Sequence, residues 1–204
     1  MSQIISVAIE KGGVGKTTTA LNIGAGLQTL GRKVLLVDLD QQGHLSRWLG
    51  WHEDRQPAIS ELIYQEVSKI KTAEYKQFIR HSEREQLDYI PSNKMLGGIY
   101  AVLGADGESN TVLCRIFHHD FFKSYDYIIF DCPTAVDNLL VSNALQCSDK
   151  LLIPVQAEKF AYDGIPLMLQ RYTAIKRTNN IVPYLSGMLI TMYKRAHNNE
   201  QRGS

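Results

Sequence analysis

The chain has 204 residues, 44% of them apolar, enough for one domain with a real buried core. No stretch approaches about 18 uncharged apolar residues in a row, so the sequence predicts a soluble, cytoplasmic protein without a spanning helix. Net charge is +1, but residues 171–204 carry six basic side chains against Glu200 alone, net +5, which leaves −4 for the other 170 residues. A basic end on a slightly acidic body suits a polyanion-binding face, with an ordinary solvated surface as the plainer reading.

Residues 4–9 form a short apolar, β-branched run, long enough for one buried strand. Gly12, Gly13 and Gly15 then let the backbone curl, since glycine takes left-handed angles without steric cost. Lys16-Thr17-Thr18 opens a helical pattern (Leu21, Ile23, Ala25, Leu27, Leu30) that stops at Gly31, a suitable C′ residue. Strand, glycine loop (with Val14 inside it), Lys-Thr and helix spell a phosphate cradle. Backbone N–H groups and the positive helix end face the anion, Lys16 reaches the outer phosphates, and the Thr17 hydroxyl ligates Mg²⁺. A glycine-rich turn without a ligand would not need the flanking strand and helix. Position 10, glycine in the standard loop, is Glu10, and Lys11 stands just inside.

Residues 33–40 predict a second strand ending in Asp38 and Asp40, at the end where open α/β sheets bind ligands. A short helix is expected from Ser46 to a stop at Gly50. Residues 51–86 are polar and mixed; Ile59, Leu62, Ile63 and Val67 have helical spacing, as do Tyr75, Phe78 and Ile79. Trp48 and Trp51 read as packing residues. Residues 87–91 predict a strand, with Ser92 as cap of a following helix. A helix is expected over 111–122; its adjacent His118 and His119 cannot share a face, which argues against a metal pair there. Residues 125–131 place Asp131 at the exit of a buried strand, where a carboxylate holds Mg²⁺ through water. Further expectations are a helix over 136–147, a strand over 149–156 and an amphipathic helix over 160–177, with Arg171, Lys176 and Arg177 outward. The last strand spans 185–192. Cys114, Cys132 and Cys147 lack CxxC spacing and read as core or incidental thiols.

The segment Lys11-Gly-Gly-Val-Gly-Lys-Thr-Thr18 resembles the deviant Walker A box of the ParA/MinD ATPases. The run ending in Asp38-Leu-Asp40-Gln-Gln-Gly, the Asp131-Cys-Pro exit and Pro154-Val-Gln156 are similar to that family's later boxes. The resemblance implies an α/β P-loop fold: a mainly parallel twisted sheet with helices on both faces. It implies ATP and Mg²⁺ as ligands, with Pro154 and Gln156 on the nucleotide side. Lys11 would reach across a nucleotide-sandwich homodimer to the partner's phosphates. Asp40 would orient the attacking water beside the metal, and Asp38 would support the metal and lysine network. In the ParA branch, basic residues past the last strand face DNA, which makes Lys194 and Arg195 the candidates here. The family often has Pro-Gln where this chain has Gln41-Gln42, and a proline at Thr134.

The expected function is therefore a weak ATPase that dimerises with ATP, binds nucleoid DNA nonspecifically and positions cargo. That cargo would be a plasmid, a chromosome region or a body such as a carboxysome, and a ParB-like or cargo-adaptor partner would stimulate hydrolysis. A MinD-like membrane switch is the alternative, although residues 194–204 offer almost no apolar face for an anchor. A small-molecule ligase on the same fold is a third reading. Relatives continue with another helix, a strand for the adenine pocket and a final helix. One domain over residues 1–204 is thus expected: a shortened member, or one with part of its base pocket missing.

Overall fold

Alternating side chains write the two faces of the central sheet. The computed structural model describes residues 2–52, 57–134, 139–157, 164–179 and 184–193. Its strands are β1 (Gln3–Val7), β2 (Val34–Asp38), β3 (Arg80–Ser82), β4 (Leu87–Ile90), β5 (Tyr127–Asp131), β6 (Lys150–Gln156) and β7 (Tyr184–Thr191). They lie in the order β3-β4-β2-β5-β1-β6-β7, parallel throughout except for the β3–β4 pair. Val34 faces Tyr127 and Leu36 faces Ile129, so those residues share one face, while Leu35, Val37, Ile128 and Phe130 take the other.

The first face is covered by α1 (Lys16–Thr29) and α2 (His44–Trp48), through Ala20 and Leu45. Here α1 lies close on β2: a Cβ on Gly24 would come within 2.9 Å of Leu36. The second face carries α3 (Ile59–Ser68), α4 (Ile99–Ala105), α5 (Val112–Phe117), α6 (Leu139–Cys147) and α7 (Gly164–Asn179) over the larger apolar core. Helices on both faces of a mainly parallel sheet is the predicted architecture. No helix among the described residues is long and apolar enough to cross a membrane.

Local expectations differ in several places. Gly31 ends α1 as predicted, with φ 75° and its N–H on the Gln28 carbonyl, but Leu30 is exposed. Tyr75–Phe78 makes one 3₁₀ turn, and the chain then pairs antiparallel as β3, Arg80 opposite Tyr89. The turn-forming 83–86 segment favours a hairpin over helical spacing. Ser92 does not cap a helix; its N–H donates to the Ser46 hydroxyl, and a 3₁₀ turn over Lys94–Gly98 follows. The helix expected over 111–122 breaks at His118, and His119 Nδ1 then accepts from the Phe121 N–H to start a separate 3₁₀ turn. Ile165, Met168, Leu169, Tyr172 and Ile175 of α7 pack inward. Arg171, expected to point outward, is turned in: its Nε lies 2.7 Å from Glu10 Oε1, with side chains 12% and 3% exposed. A buried carboxylate at the head of the loop overrides amphipathic spacing.

Candidate functional site

Three sequence boxes, the outer two 114 residues apart from Thr17 to Asp131, meet because β2, β5 and β1 are neighbours in the sheet. Asp131 stands opposite both Val7 and Asp38 in the strand register. The loops leaving these strands therefore share one end of the sheet, around a cleft of about 1010 Å³. Gly12, Gly13, Gly15, Lys16, Thr17, Thr18, Asp40 and Thr134 line it.

Gly13 and Gly15 hold φ of 73° and 89°, so the loop needs glycine there; Gly12 stays outside the left-handed region. Gly15 is the N-cap of α1 and no side chain caps that end, which leaves first-turn N–H groups for an anion. Val14 is buried beneath the loop, and its carbonyl accepts from the Thr191 hydroxyl at 2.8 Å, tying the loop to the end of β7.

Lys16 is 7% exposed, and its Nζ donates to the Lys11 carbonyl at 3.1 Å and to Thr134 Oγ1 at 2.8 Å. Burial lowers its pKa, with Asp131 opposing that shift. The Thr17 hydroxyl donates to Asp131 Oδ2 at 2.7 Å, while Asp131 Oδ1 is buried with no partner among the described residues. Burial, then the negative charge of Asp38, pushes Asp131 up to about 8. Asp38 is raised to about 6 by burial, against hydrogen bonds from the Ser46 N–H and hydroxyl at 2.9 and 2.6 Å. Asp38 Oδ1 accepts from the Asp40 N–H at 3.1 Å, and Asp40 Oδ1 accepts from the Gln42 N–H at 2.9 Å.

An orphaned carboxylate oxygen beside a hydroxyl, among buried acids whose charge is costly, suits a hard divalent cation with oxygen ligands. Thr17 and Asp131 are the residues that would hold Mg²⁺. Asp38 fixes the turn that presents Asp40, through its bonds from Ser46 and the Asp40 N–H. Lys11 is half-buried, and α7 begins beside its Cβ and the Glu10 backbone.

Pro154 and Gln156 pair with Leu189 and Thr191 and do not line the cleft. Lys194 and Arg195 lie outside the described residues. Sequence reasoning undervalues Thr134, which it reads only as a departure from a proline. The available signal was its place three residues past Asp131, on the loop that leaves β5 beside the cradle. Sequence reasoning also misses Arg47, Trp48 and Arg84 on the far wall, where the Arg84 guanidinium sits 5.7 Å over the Trp48 ring.

A family profile described as an AAA domain matches residues 2–183. The sporulation initiation inhibitor protein Soj of Bacillus subtilis is 35% identical over 193 residues, which are 94% of this chain and 73% of Soj. The chromosome partitioning protein ParA of Myxococcus xanthus is 33% identical, over 95% of this chain and 66% of its own length. Among solved structures, cobyrinic acid a,c-diamide synthase from Mycobacterium smegmatis, with bound ATP analog and magnesium, superposes with a TM-score of 0.84. Its identity is 31%, covering 93% of this chain and 75% of that one. With its lysine-bearing loop at residues 11–18 and these relatives, the chain belongs to the ParA/MinD-type family of P-loop ATPases.

Proposed function

We propose that the protein binds ATP with Mg²⁺ in the cleft, dimerises around it, hydrolyses it slowly and uses that cycle to position or partition cargo on nonspecific DNA. The observation that carries this reading is the set of Lys16, Thr17 and Asp131 at one helix N-terminus, with a carboxylate oxygen left over for a metal. When bound, Mg²⁺ would neutralise phosphate charge and polarise the terminal phosphoryl group. Lys16 exchanges its bonds to Thr134 and the Lys11 carbonyl for the outer phosphates. First-turn N–H groups of α1 take the phosphate oxygens. Asp40, fixed by the Gln42 amide and by Asp38, orients the attacking water; without a stronger base, turnover is slow.

Lys11 of one subunit serves the phosphates of the other, so ATP joins the two copies and its hydrolysis releases them. Doubling the basic sites around Lys194 and Arg195 in a dimer steepens the salt dependence of DNA binding, which makes attachment ATP-dependent. A ParB-like or adaptor protein on the cargo accelerates hydrolysis, in the cytoplasm and on the nucleoid. ATP-dependent amide synthesis is the second reading, favoured by the close superposition on cobyrinic acid a,c-diamide synthase.

The deciding experiment is light scattering and DNA cosedimentation of Asp40→Ala with ATP. A stable dimer that coats DNA is expected, whereas Lys16→Ala binds no ATP. A monomeric Asp40→Ala protein in ATP would refute the sandwich, and substrate-dependent turnover with an amide donor would favour the second reading.

A further inference from the structure

The far wall of the main cleft carries a tryptophan that the core does not claim. Trp51 packs half-buried against the smaller core, whereas Trp48, read from the sequence as a packing residue too, is 58% exposed. Its backbone is held all the same. Trp48 ends α2, where Leu45 is buried, Leu49 follows buried, and Ser46 donates to Asp38 from both its N–H and its hydroxyl. Scattered exposed apolar side chains are ordinary. This one stands inside a cleft, and the Arg84 guanidinium lies 5.7 Å from the centre of its ring.

Arg84 comes from the tip of the β3–β4 hairpin, where Gln86 Nε2 donates to the Glu83 carbonyl at 2.7 Å. Its Nε donates to Glu85 at 3.0 Å, and its side chain is 75% exposed, so the guanidinium moves on and off the ring at little cost. His44 and Arg47 are exposed on the same wall. An accessible indole face among guanidinium groups is a surface on which nucleobases stack, with the cations turned to the phosphate. Carboxylates line the cleft as well: Glu85 pairs with Arg84, and Asp40 belongs to the hydrolytic turn.

The cleft extends beyond the phosphate cradle. Its lining follows α1 from Thr17 to Ala25, about 12 Å at the helical rise per residue. Its volume of about 1010 Å³ is at the top of the range for one small molecule, roughly 300–1,000 Å³. We propose that the Trp48 face is a nucleobase subsite separate from the cradle, taking a base with its 5′-phosphate, as a free mononucleotide or as one unit of a single strand. The base stacks on the Trp48 indole with Arg84 beside it, and Arg47 and His44 take the phosphate. Stacking tolerates any base, so the subsite recognises the chemistry of the unit and not its sequence. The claim does not rest on the ATPase reading.

The chain has two tryptophans, so Trp51→Phe leaves Trp48 as the sole reporter, with a thermal melt to verify the fold. Its emission is titrated with thymidine 5′-monophosphate, a short oligothymidylate and ribose 5-phosphate at fixed ionic strength. Each titration is run with and without a saturating non-hydrolysable ATP analogue and Mg²⁺. Saturable quenching by both thymidylates and none by ribose 5-phosphate is expected, with the analogue and without it. Calorimetry with thymidine 5′-monophosphate, the analogue present, then reads the variants. Trp48→Leu should weaken binding about five- to hundredfold, as loss of one stacked base does, and Arg84→Ala about two- to fivefold. Both side chains are exposed, so both variants fold and bind the ATP analogue like their parent. Lys16→Ala, which empties the cradle, should leave thymidylate binding intact, so failure of the ATP site and failure of this one are told apart. Tighter binding of the oligomer identifies a strand as the ligand, and equal or weaker binding identifies a mononucleotide; both uphold the subsite. Quenching no greater than with ribose 5-phosphate, or a Trp48→Leu protein that binds thymidylate like its parent, overturns it. Full displacement by the ATP analogue also overturns it, since the Trp48 face would then belong to the nucleotide in the cradle.

Discussion

Arg171→Met tests how the phosphate loop is braced. Methionine keeps most of the apolar stem and removes the guanidinium, leaving the Glu10 carboxylate, 3% exposed, without the partner now 2.7 Å away. Breaking a buried ion pair from one side costs about 3–5 kcal/mol, because the remaining charge stays desolvated. A groove of about 390 Å³ lined by Leu167 and Gln170 runs beside this pair and admits water to the abandoned carboxylate. The lower end of that range, about 3 kcal/mol, is therefore expected. For a chain of this size each kcal/mol moves Tm by about 2–4 °C, so the midpoint falls by roughly 6–12 °C. Glu10→Gln keeps an acceptor for the guanidinium and costs about 1 kcal/mol. The double variant should cost about 2 kcal/mol, less than Arg171→Met alone, giving a coupling energy of about 2 kcal/mol in a urea-melt cycle. A loss below about 1 kcal/mol, or an equal loss in the Glu10→Gln background, would refute the pair as a brace.

Gly164→Ala presses on the same joint: its Cβ would lie 3.2 Å from Ile9 and Lys11 side-chain carbons and 3.3 Å from the Glu10 backbone. It should cost about 1–2 kcal/mol and weaken ATP binding, whereas Gly24→Ala, which meets Leu36 far from the phosphates, should lower Tm with ATP affinity intact. Calorimetric titration separates the two. Arg115→Ala removes the centre of a cluster with Glu66, Asp106 and Glu108 and should cost about 1–3 kcal/mol at pH 7. The Glu108 amide, then Arg115, holds Asp106 below the usual carboxylate range. A depressed acid stabilises above its unfolded pKa and loses that contribution as pH falls through the folded one. The gap between parent and variant should therefore narrow below about pH 4, and urea melts at the two pH values showing a constant gap would contradict it. Thr134→Val frees Lys16 from a competing acceptor and should tighten ATP binding by about two- to tenfold; weaker binding in the same titration would mean that Thr134 serves the bound state.

Much of the phosphate side was legible because its chemistry is local. A glycine loop between a strand and a helix dictates where Lys16 and Thr17 go, whatever the rest of the chain does. Strand-end Asp38, Asp40 and Asp131 were legible as a class, and only the family resemblance divided the roles among them, without the hydrogen bonds each one makes. That Asp38 spends its oxygens on Ser46 and the Asp40 amide, and Asp131 on Thr17, depends on which loops become neighbours. Arg171 was misread because helical periodicity scores hydrophobicity and is blind to a buried acid contributed by a loop 161 residues away. The β3 strand was lost for a similar reason: three residues of edge pairing leave little alternation to detect. The Ser92 hydroxyl and the Trp51 indole N–H, buried without partners among the described residues, belong to no pattern, since dissatisfaction is a property of packing.

The register of β5 is what makes three separate boxes into one site. Leu36 and Ile129 lie under α1, and two residues further along the same strands come Asp38 and Asp131, on the same face. α1 begins at this end of that face, so the Thr17 hydroxyl finds Asp131 Oδ2 at 2.7 Å. Slipping β5 by one residue would turn Asp131 toward the opposite helices and bring its apolar neighbours Phe130 or Cys132 under Thr17. The slip is opposed twice over, because Ile128 and Phe130 are wholly buried in the larger core and Ile129 in the smaller one. Each apolar side chain that fixes the strand therefore also fixes the Asp131 carboxylate beneath Thr17. The physical precondition for chemistry here is hydrophobic burial on two faces, set before any ligand arrives.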